Sequence, residues 1–382
     1  MPSKKPTART SKKPALFTPY RRINRKAVFI GIGIFAAIAV AFLWRSFAAT
    51  PPAGFVYRSG KSLMLNGSTY KFVGFNAYGI TGCETGTPWS QAQIDAYFSS
   101  LPPASMTRIW AFKDRSMYSN GTSVLDLVVS RAEAHGQKLV MTLGNGLKNC
   151  EGPSFDGGVD DGSGKGTTWF TSTYQGPWMN WVTSTVTKYK NSPAVGMWEV
   201  SNEGGHQSGT SSAVMKSYYD NTAAKIKGID SQHLVSTGAL APYTYGGENG
   251  YYDIHSGPNI DVVSFHEYDG GNVSNHFGTA IRVANVLNKP LMVGETGQPW
   301  GSITSGQNRA DWFKARFDAY LYQGAVGVLP WNYGNGNYGG WTIFPGDATA
   351  TMVSNYKISG VVVTPTPTPT PTPAPTPTPT PT

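Results

Sequence analysis

Two glutamates are placed where chemistry could be shared between them. Glu203 lies three residues beyond the apolar run 194–200, and Glu295 closes the run 290–295. A pair of carboxyl groups brought together can divide acid–base work. One keeps its proton and delivers it to a leaving oxygen, while the other stays ionised and attacks carbon. Breaking a glycosidic bond needs that division, and the separation of the two groups decides the stereochemical outcome. Other polar and aromatic residues recur at the ends of similar runs: Asn76 with Tyr78, Arg108 with Trp110, Asn145, Asn202, His266 with Tyr268, and Trp331 followed by Asn332. Singly, Glu203 reads equally well as a helix cap and Glu295 as a rim ion pair. The repetition at run after run, with two carboxylates in it, points to one shared site.

The elements that must position these residues are short apolar runs rich in β-branched and aromatic residues. They fall at 71–76, 106–111, 138–144, 194–200, 233–238, 260–266, 290–295 and 326–332. Runs of this length without polar alternation read as strands buried on both faces, as in a parallel sheet. Helical periodicity separates most of them, at 124–135, 178–190, 212–229, 279–287 and 307–323, and is weak between the fifth and sixth. Eight such repeats predict an α/β fold, a (β/α)₈ TIM barrel forming a single catalytic domain over 51–363. A doubly wound open sheet would want a G-x-G-x-x-G after an early strand, and Gly74-Phe75-Asn76-Ala77 lacks it. In a barrel the strand C-termini share one mouth, and the fourth and seventh strands face each other across it.

The segment Trp198-Glu199-Val200-Ser201-Asn202-Glu203 resembles the fourth-strand signature of the clan A glycoside hydrolases, family 5 in particular. Arg108 to Asp114, Ala134 to Leu139, Lys188 to Pro193, Ser264 to Tyr268 and Lys289 to Glu295 are similar to other stretches of that family in the same order, and together look most like its β-mannanase branch. The resemblance implies a retaining hydrolase acting on internal β-1,4 linkages of a plant polysaccharide, β-mannan foremost and β-1,4-glucan as the alternative. It implies Glu203 as acid/base and Glu295 as nucleophile. Asn202 would then bind the sugar 2-hydroxyl, Tyr268 would contact the nucleophile, and His266 would line the pocket. Arg108 would hold Glu295 ionised, and Trp331 would be the sugar platform, with Asn76, Trp110 and Asn145 completing the substrate-binding set. Gly204-Gly205 stands where the family commonly has a proline, and Thr296-Gly297 follows Glu295 in place of an aromatic.

Charge is concentrated at one end. Residues 1–50 carry ten Lys and Arg and no acidic residue, against +9 for the whole chain, which leaves the remainder at −1. A domain so nearly neutral is a poor nucleic-acid binder. The basic stretch 1–26 runs into an apolar segment, 27–45, of membrane-spanning length, and positive charge on its N-terminal side places the rest of the chain outside the cell. This predicts a membrane-anchored extracellular domain, or a secreted one if the small residues after Arg45 mark a cleaved signal. Residues 364–382 repeat Thr-Pro, an extended spacer or stalk. Cys83 and Cys150 follow the first and third strands, and in an exported chain they predict a disulfide across the rim of the mouth.

No cofactor or metal is expected. Six histidines without H-E-x-x-H argue against a metallohydrolase, and Asp156, Asp160 and Asp161 match no standard calcium loop. Gly164-Lys165-Gly166 fails the phosphate-loop pattern. The partner is the polysaccharide, with the chain a monomer. A non-catalytic carbohydrate-binding barrel is the rival reading, and it would have lost one carboxylate.

Overall fold

The computed structural model describes residues 51–83, 86–113, 123–152, 155, 161–269, 273–336 and 339–358. The basic stretch 1–26, the apolar segment 27–45 and the Thr-Pro repeat lie outside the described residues, as do Asp114, Asp156 and Asp160. Among the described residues no helix is long and apolar enough to cross a membrane.

A small antiparallel sheet comes first: β1 (Val56–Ser59), β2 (Ser62–Leu65) and β3 (Ser68–Tyr70). Eight parallel strands follow, β4 (Phe72–Asn76), β5 (Met106–Trp110), β6 (Lys138–Thr142), β7 (Val195–Glu199), β8 (Leu234–Ser236), β9 (Val263–Glu267), β10 (Leu291–Gly297) and β11 (Gly327–Trp331). Their order is β8-β7-β6-β5-β4-β11-β10-β9. The Ser236–Val262 bridge and the amides of Asp261 and Val262 on Val235 O bring the two ends together, so the sheet closes into a barrel. All eight runs marked in the sequence are barrel strands.

Helices alternate with them: α1 (Gln91–Ser100), α2 (Val124–Ala134), α3 (Thr167–Thr171), α4 (Pro177–Tyr189), α5 (Ser212–Ile229), α6 (Glu248–His255), α7 (Asn275–Leu287), α8 (Gly306–Tyr322) and α9 (Ala348–Asn355). Serine starts five of them. Ser90, Ser123, Ser211, Ser274 and Ser305 each accept a backbone amide from three residues on, which satisfies a donor the first helical turn leaves open. Sequence periodicity missed α1, α3 and α9, whose apolar faces are short or interrupted by polar residues.

Why the strands read as unbroken apolar runs is clear from their two environments. Along β5, β6 and β7 the outward residues Ile109, Met141 and Trp198 pack in the layer between barrel and helices. The inward Met106, Val140 and Met197 fill the bottom of the barrel with Met292, Leu329 and the apolar side of the β1–β3 sheet. Two residues further along, the same inward alternation reaches Arg108, Thr142 and Glu199. The barrel interior is thus apolar at its base and charged at its mouth.

Candidate active site

Arg108 is the hub of the mouth. It is fully buried, and each nitrogen of its fork is directed at an acceptor. Nε donates to Glu199 Oε1 at 2.7 Å, Nη1 to Asn76 Oδ1 at 2.9 Å and to Glu295 Oε1, and Nη2 to Asn202 Oδ1 at 2.9 Å. Glu199 Oε1 also accepts from Thr142 Oγ1 at 2.9 Å. Asn76 donates to the carbonyl of Gly294 at 2.8 Å and so ties β4 to the strand that carries Glu295. Asn202 donates to Asn145 Oδ1 at 3.1 Å.

Strict alternation would send Glu295 out of the barrel, because Met292 points in and Val293 points out. The register of β10 slips between Val293 and Glu295 against β9, and a bulge there turns the carboxylate inward. Its second oxygen accepts the hydroxyl of Tyr268. Glu203 reaches the mouth by another route. It lies past the end of β7 with φ of 46°, and its amide donates to Gly238 O at 2.8 Å. Gly238 is required in turn: its φ is +75°, and a Cβ there would come within 2.1 Å of Ser201 O. The glycine that replaces the family's proline is also packed tight, since a Cβ on Gly204 would stand 2.7 Å from both Ser201 Oγ and Tyr219 OH.

Between the glutamates sits His266, whose Nδ1 hydrogen-bonds Glu203 Oε1 at 2.9 Å and lies 3.6 Å from Glu295 Oε1. One oxygen of each glutamate and a ring nitrogen of His266 all fall within 4.8 Å of one another. Burial holds the imidazole down at about 4, so it is neutral at physiological pH. Burial likewise pushes both glutamates above the ordinary carboxylate range. Their environments differ. Glu295 receives the Arg108 guanidinium and the Tyr268 hydroxyl directly, whereas Glu203 has the histidine and the added repulsion of Glu199. Three such donors have the spacing of a metal site, but the Arg108 guanidinium already bound to Glu295 would repel a second cation there.

The aromatic side of the mouth is built from Tyr78, Trp110 and Trp331. Tyr78 stacks on Trp331 with the rings parallel and centroids 4.7 Å apart, and Trp110 packs against both. Arg108 lies 4.6 Å from the Trp110 ring centre. Cys83 and Cys150 are joined in a disulfide with Cα atoms 5.3 Å apart, packed against Tyr78, Trp110 and Phe112. The bridge therefore backs the aromatic wall. Reduction is expected to cost roughly 4 kcal/mol on the chain-entropy model for a loop of this size. Thermal denaturation with and without a reductant measures it, and an unchanged midpoint would contradict the expectation.

The structure gathers the sequence-marked site residues at the mouth, but in two layers. Asn76, Arg108 and His266 expose no surface and contact protein groups, so they position the carboxylates beneath the cleft rather than line it. Tyr268 and Trp331 are only partly buried and face it. Two neighbours were missed as site residues, Glu199 and Thr142; Tyr78, which follows the first strand, was marked at the mouth by the sequence. Glu199 was legible, since it sits two residues after the inward Met197 and an inward carboxylate needs the inward arginine.

The closed eight-stranded barrel thus carries Glu203 and Glu295 after its fourth and seventh strands, at one mouth. Residues 168–285 match the family model described as GH family 5 beta-mannosidase-like. The chain is 29% identical over 293 residues to mannan endo-1,4-beta-mannosidase F of Aspergillus fumigatus, covering 65% of each protein. It is 28% identical over 292 residues to the probable mannan endo-1,4-beta-mannosidase F of Neosartorya fischeri, covering 65% of this chain and 62% of that one. The match thus spans just under two thirds of these relatives. The endo-1,4-beta-mannanase of Rhizomucor miehei has the same fold, with a TM-score of 0.63 at 20% identity over 78% of this chain and 97% of that one. So does the endo-beta-1,4-mannanase of Thermotoga petrophila, at 0.61 and 20% identity over 76% of this chain and 77% of that one.

Proposed function

We propose that this chain is a retaining glycoside hydrolase that cuts internal β-1,4 linkages of a β-mannan by double displacement. The observation that carries the reading is the unequal glutamate pair, with oxygens within 4.8 Å. A retaining pair stands about 5–5.5 Å apart, whereas an inverting pair leaves ~6.5–9.5 Å for a water. Glu295, bound by Arg108 and Tyr268, is the carboxylate that attacks the anomeric carbon as the bond to the leaving oxygen breaks. Glu203 passes its proton to that oxygen. It then takes a proton from water, which displaces Glu295 from the sugar. The half-buried Trp331, stacked on Tyr78, offers an indole face to the apolar face of a pyranose. Mannan is favoured by the names of the relatives.

The test is hydrolysis of β-mannan, cellulose, xylan and mixed-linkage β-glucan by the full chain, with the first-formed anomer read by NMR. Faster cleavage of cellulose would overturn the substrate, and an inverted anomer the mechanism. The pH profile carries a further expectation. Turnover falls as pH drops through the pKa of Glu295, which must be ionised, and falls as pH rises through that of Glu203, which must be protonated. Burial raises both, so the whole bell is expected above the ~4.3 of a free glutamate. A profile centred below that value would contradict the assignment. We also propose that 27–45 carries the domain out of the cytoplasm, as anchor or as cleaved signal, with 364–382 as a stalk; cell fractionation checks this.

A further inference from the structure

An exposed tyrosine on the rim has no part in the chemistry above. The β8–α6 connection contains a short 3₁₀ turn, Pro242–Tyr245. With three residues per turn, Pro242 and Tyr245 share one face, and both are buried. Tyr243 is thereby turned to solvent, with 57% of its surface exposed. The segment around it is rigidly tied to the acid/base glutamate. Gly238 O accepts the Glu203 amide at 2.8 Å, Tyr245 OH donates to Gly204 O at 2.8 Å, and Leu240 O accepts the His266 amide at 3.2 Å. Tyr243 is also held on its flank, with its ring edge-on to His276 at 5.1 Å between centroids, at the start of α7.

Its place around the mouth is informative. In the order of the eight strands, β8 stands opposite β4, the strand that leads to Tyr78, and three strands from β11, which carries Trp331. A glycan resting on the Tyr78–Trp331 wall and passing between Glu203 and Glu295 continues toward the β8 loop. Glu203 donates its proton to the leaving oxygen, so the leaving portion of the chain lies beyond it. An exposed, fixed aromatic ring at that point is suited to the apolar face of a hexopyranose.

We infer that Tyr243 is a sugar-binding platform for the leaving-group side of a β-1,4-linked oligosaccharide. The inference rests on the assignment of Glu203 and Glu295 only for which side is which. It is tested with the full chain carrying Glu295→Ala, so that binding is measured without hydrolysis. Calorimetry with β-1,4-mannohexaose and with cellohexaose compares that protein with its Tyr243→Ala and Tyr243→Phe forms. Tyr243→Ala is expected to weaken the better-bound hexaose about fivefold and Tyr243→Phe less than about twofold. In the otherwise native enzyme Tyr243→Ala should raise KM for the hexaose with kcat little changed. Kinetics on an aryl β-mannobioside, whose leaving group is not a sugar, should be unaltered. Unchanged hexaose affinity overturns the platform, and so does an equal loss on the aryl substrate. Tyr243-dependent binding in a protein that hydrolyses no glycan keeps the platform and overturns the hydrolase.

Discussion

Replacing Glu295 by alanine is expected to cut turnover on the order of 10⁵-fold on every substrate, because in the proposed mechanism no other carboxylate among the described residues is placed to form the bond to the anomeric carbon. Glu199 is close, but its near oxygen is bound by Arg108 and Thr142 beneath the cleft, and the residue is fully buried. Glu203→Ala should behave differently. General acid catalysis contributes about 10²–10⁴-fold, so a polysaccharide substrate loses that factor, while an aryl glycoside with an acidic leaving group needs little protonation and loses much less in the first step. The comparison is made by steady-state kinetics on mannan and on an aryl β-mannobioside. Equal losses for Glu203→Ala on both substrates would remove it from the acid role. Residual turnover by Glu295→Ala near that of the native protein would remove the nucleophile.

Arg108→Met is expected to destabilise the domain by about 3–5 kcal/mol, since it leaves two carboxylates buried without their cation. The guanidinium is fully buried between Glu199 and Glu295 and also holds Asn76 and Asn202. Activity should fall with it, for Glu295 loses the charge that keeps it ionised. Adding Glu199→Gln separates the two effects. Removing one of the unpaired charges should recover part of the stability, read as the denaturant midpoint, and none of the activity. A loss below ~1 kcal/mol for Arg108→Met, or recovery of turnover by the double variant, would show that the arginine is not the hub argued here.

Much of the fold was legible because a parallel barrel buries both faces of each strand. Runs such as 138–144 and 194–200 then carry no polar alternation, and their number, with helices between, leaves few architectures. The β1–β3 sheet was not legible. Its strands have three or four residues with mixed burial, too short for a period, and they exist because the barrel base offers Met106, Met197 and Met292 to cover.

The sequence by itself determined which residues meet. Eight runs ending in polar groups, closed into a cylinder, must bring those ends to one mouth, and the resemblance to family 5 implies the roles proposed for the two glutamates. Tertiary structure alone decided how each carboxylate is aimed. Glu295 faces inward only because β10 slips its register beside β9, and Glu203 arrives through a left-handed residue whose amide is caught by Gly238. Neither feature is local. A bulge is defined by the partner strand, and a positive φ at glutamate costs energy that only the surrounding hydrogen bonds offset. The same holds for the division into layers. Arg108 and Trp110 look alike in a strand-end motif, yet the closed barrel sinks the first beneath the carboxylates and sets the second in the aromatic wall, because charge needs four acceptors where a ring needs only faces to pack against.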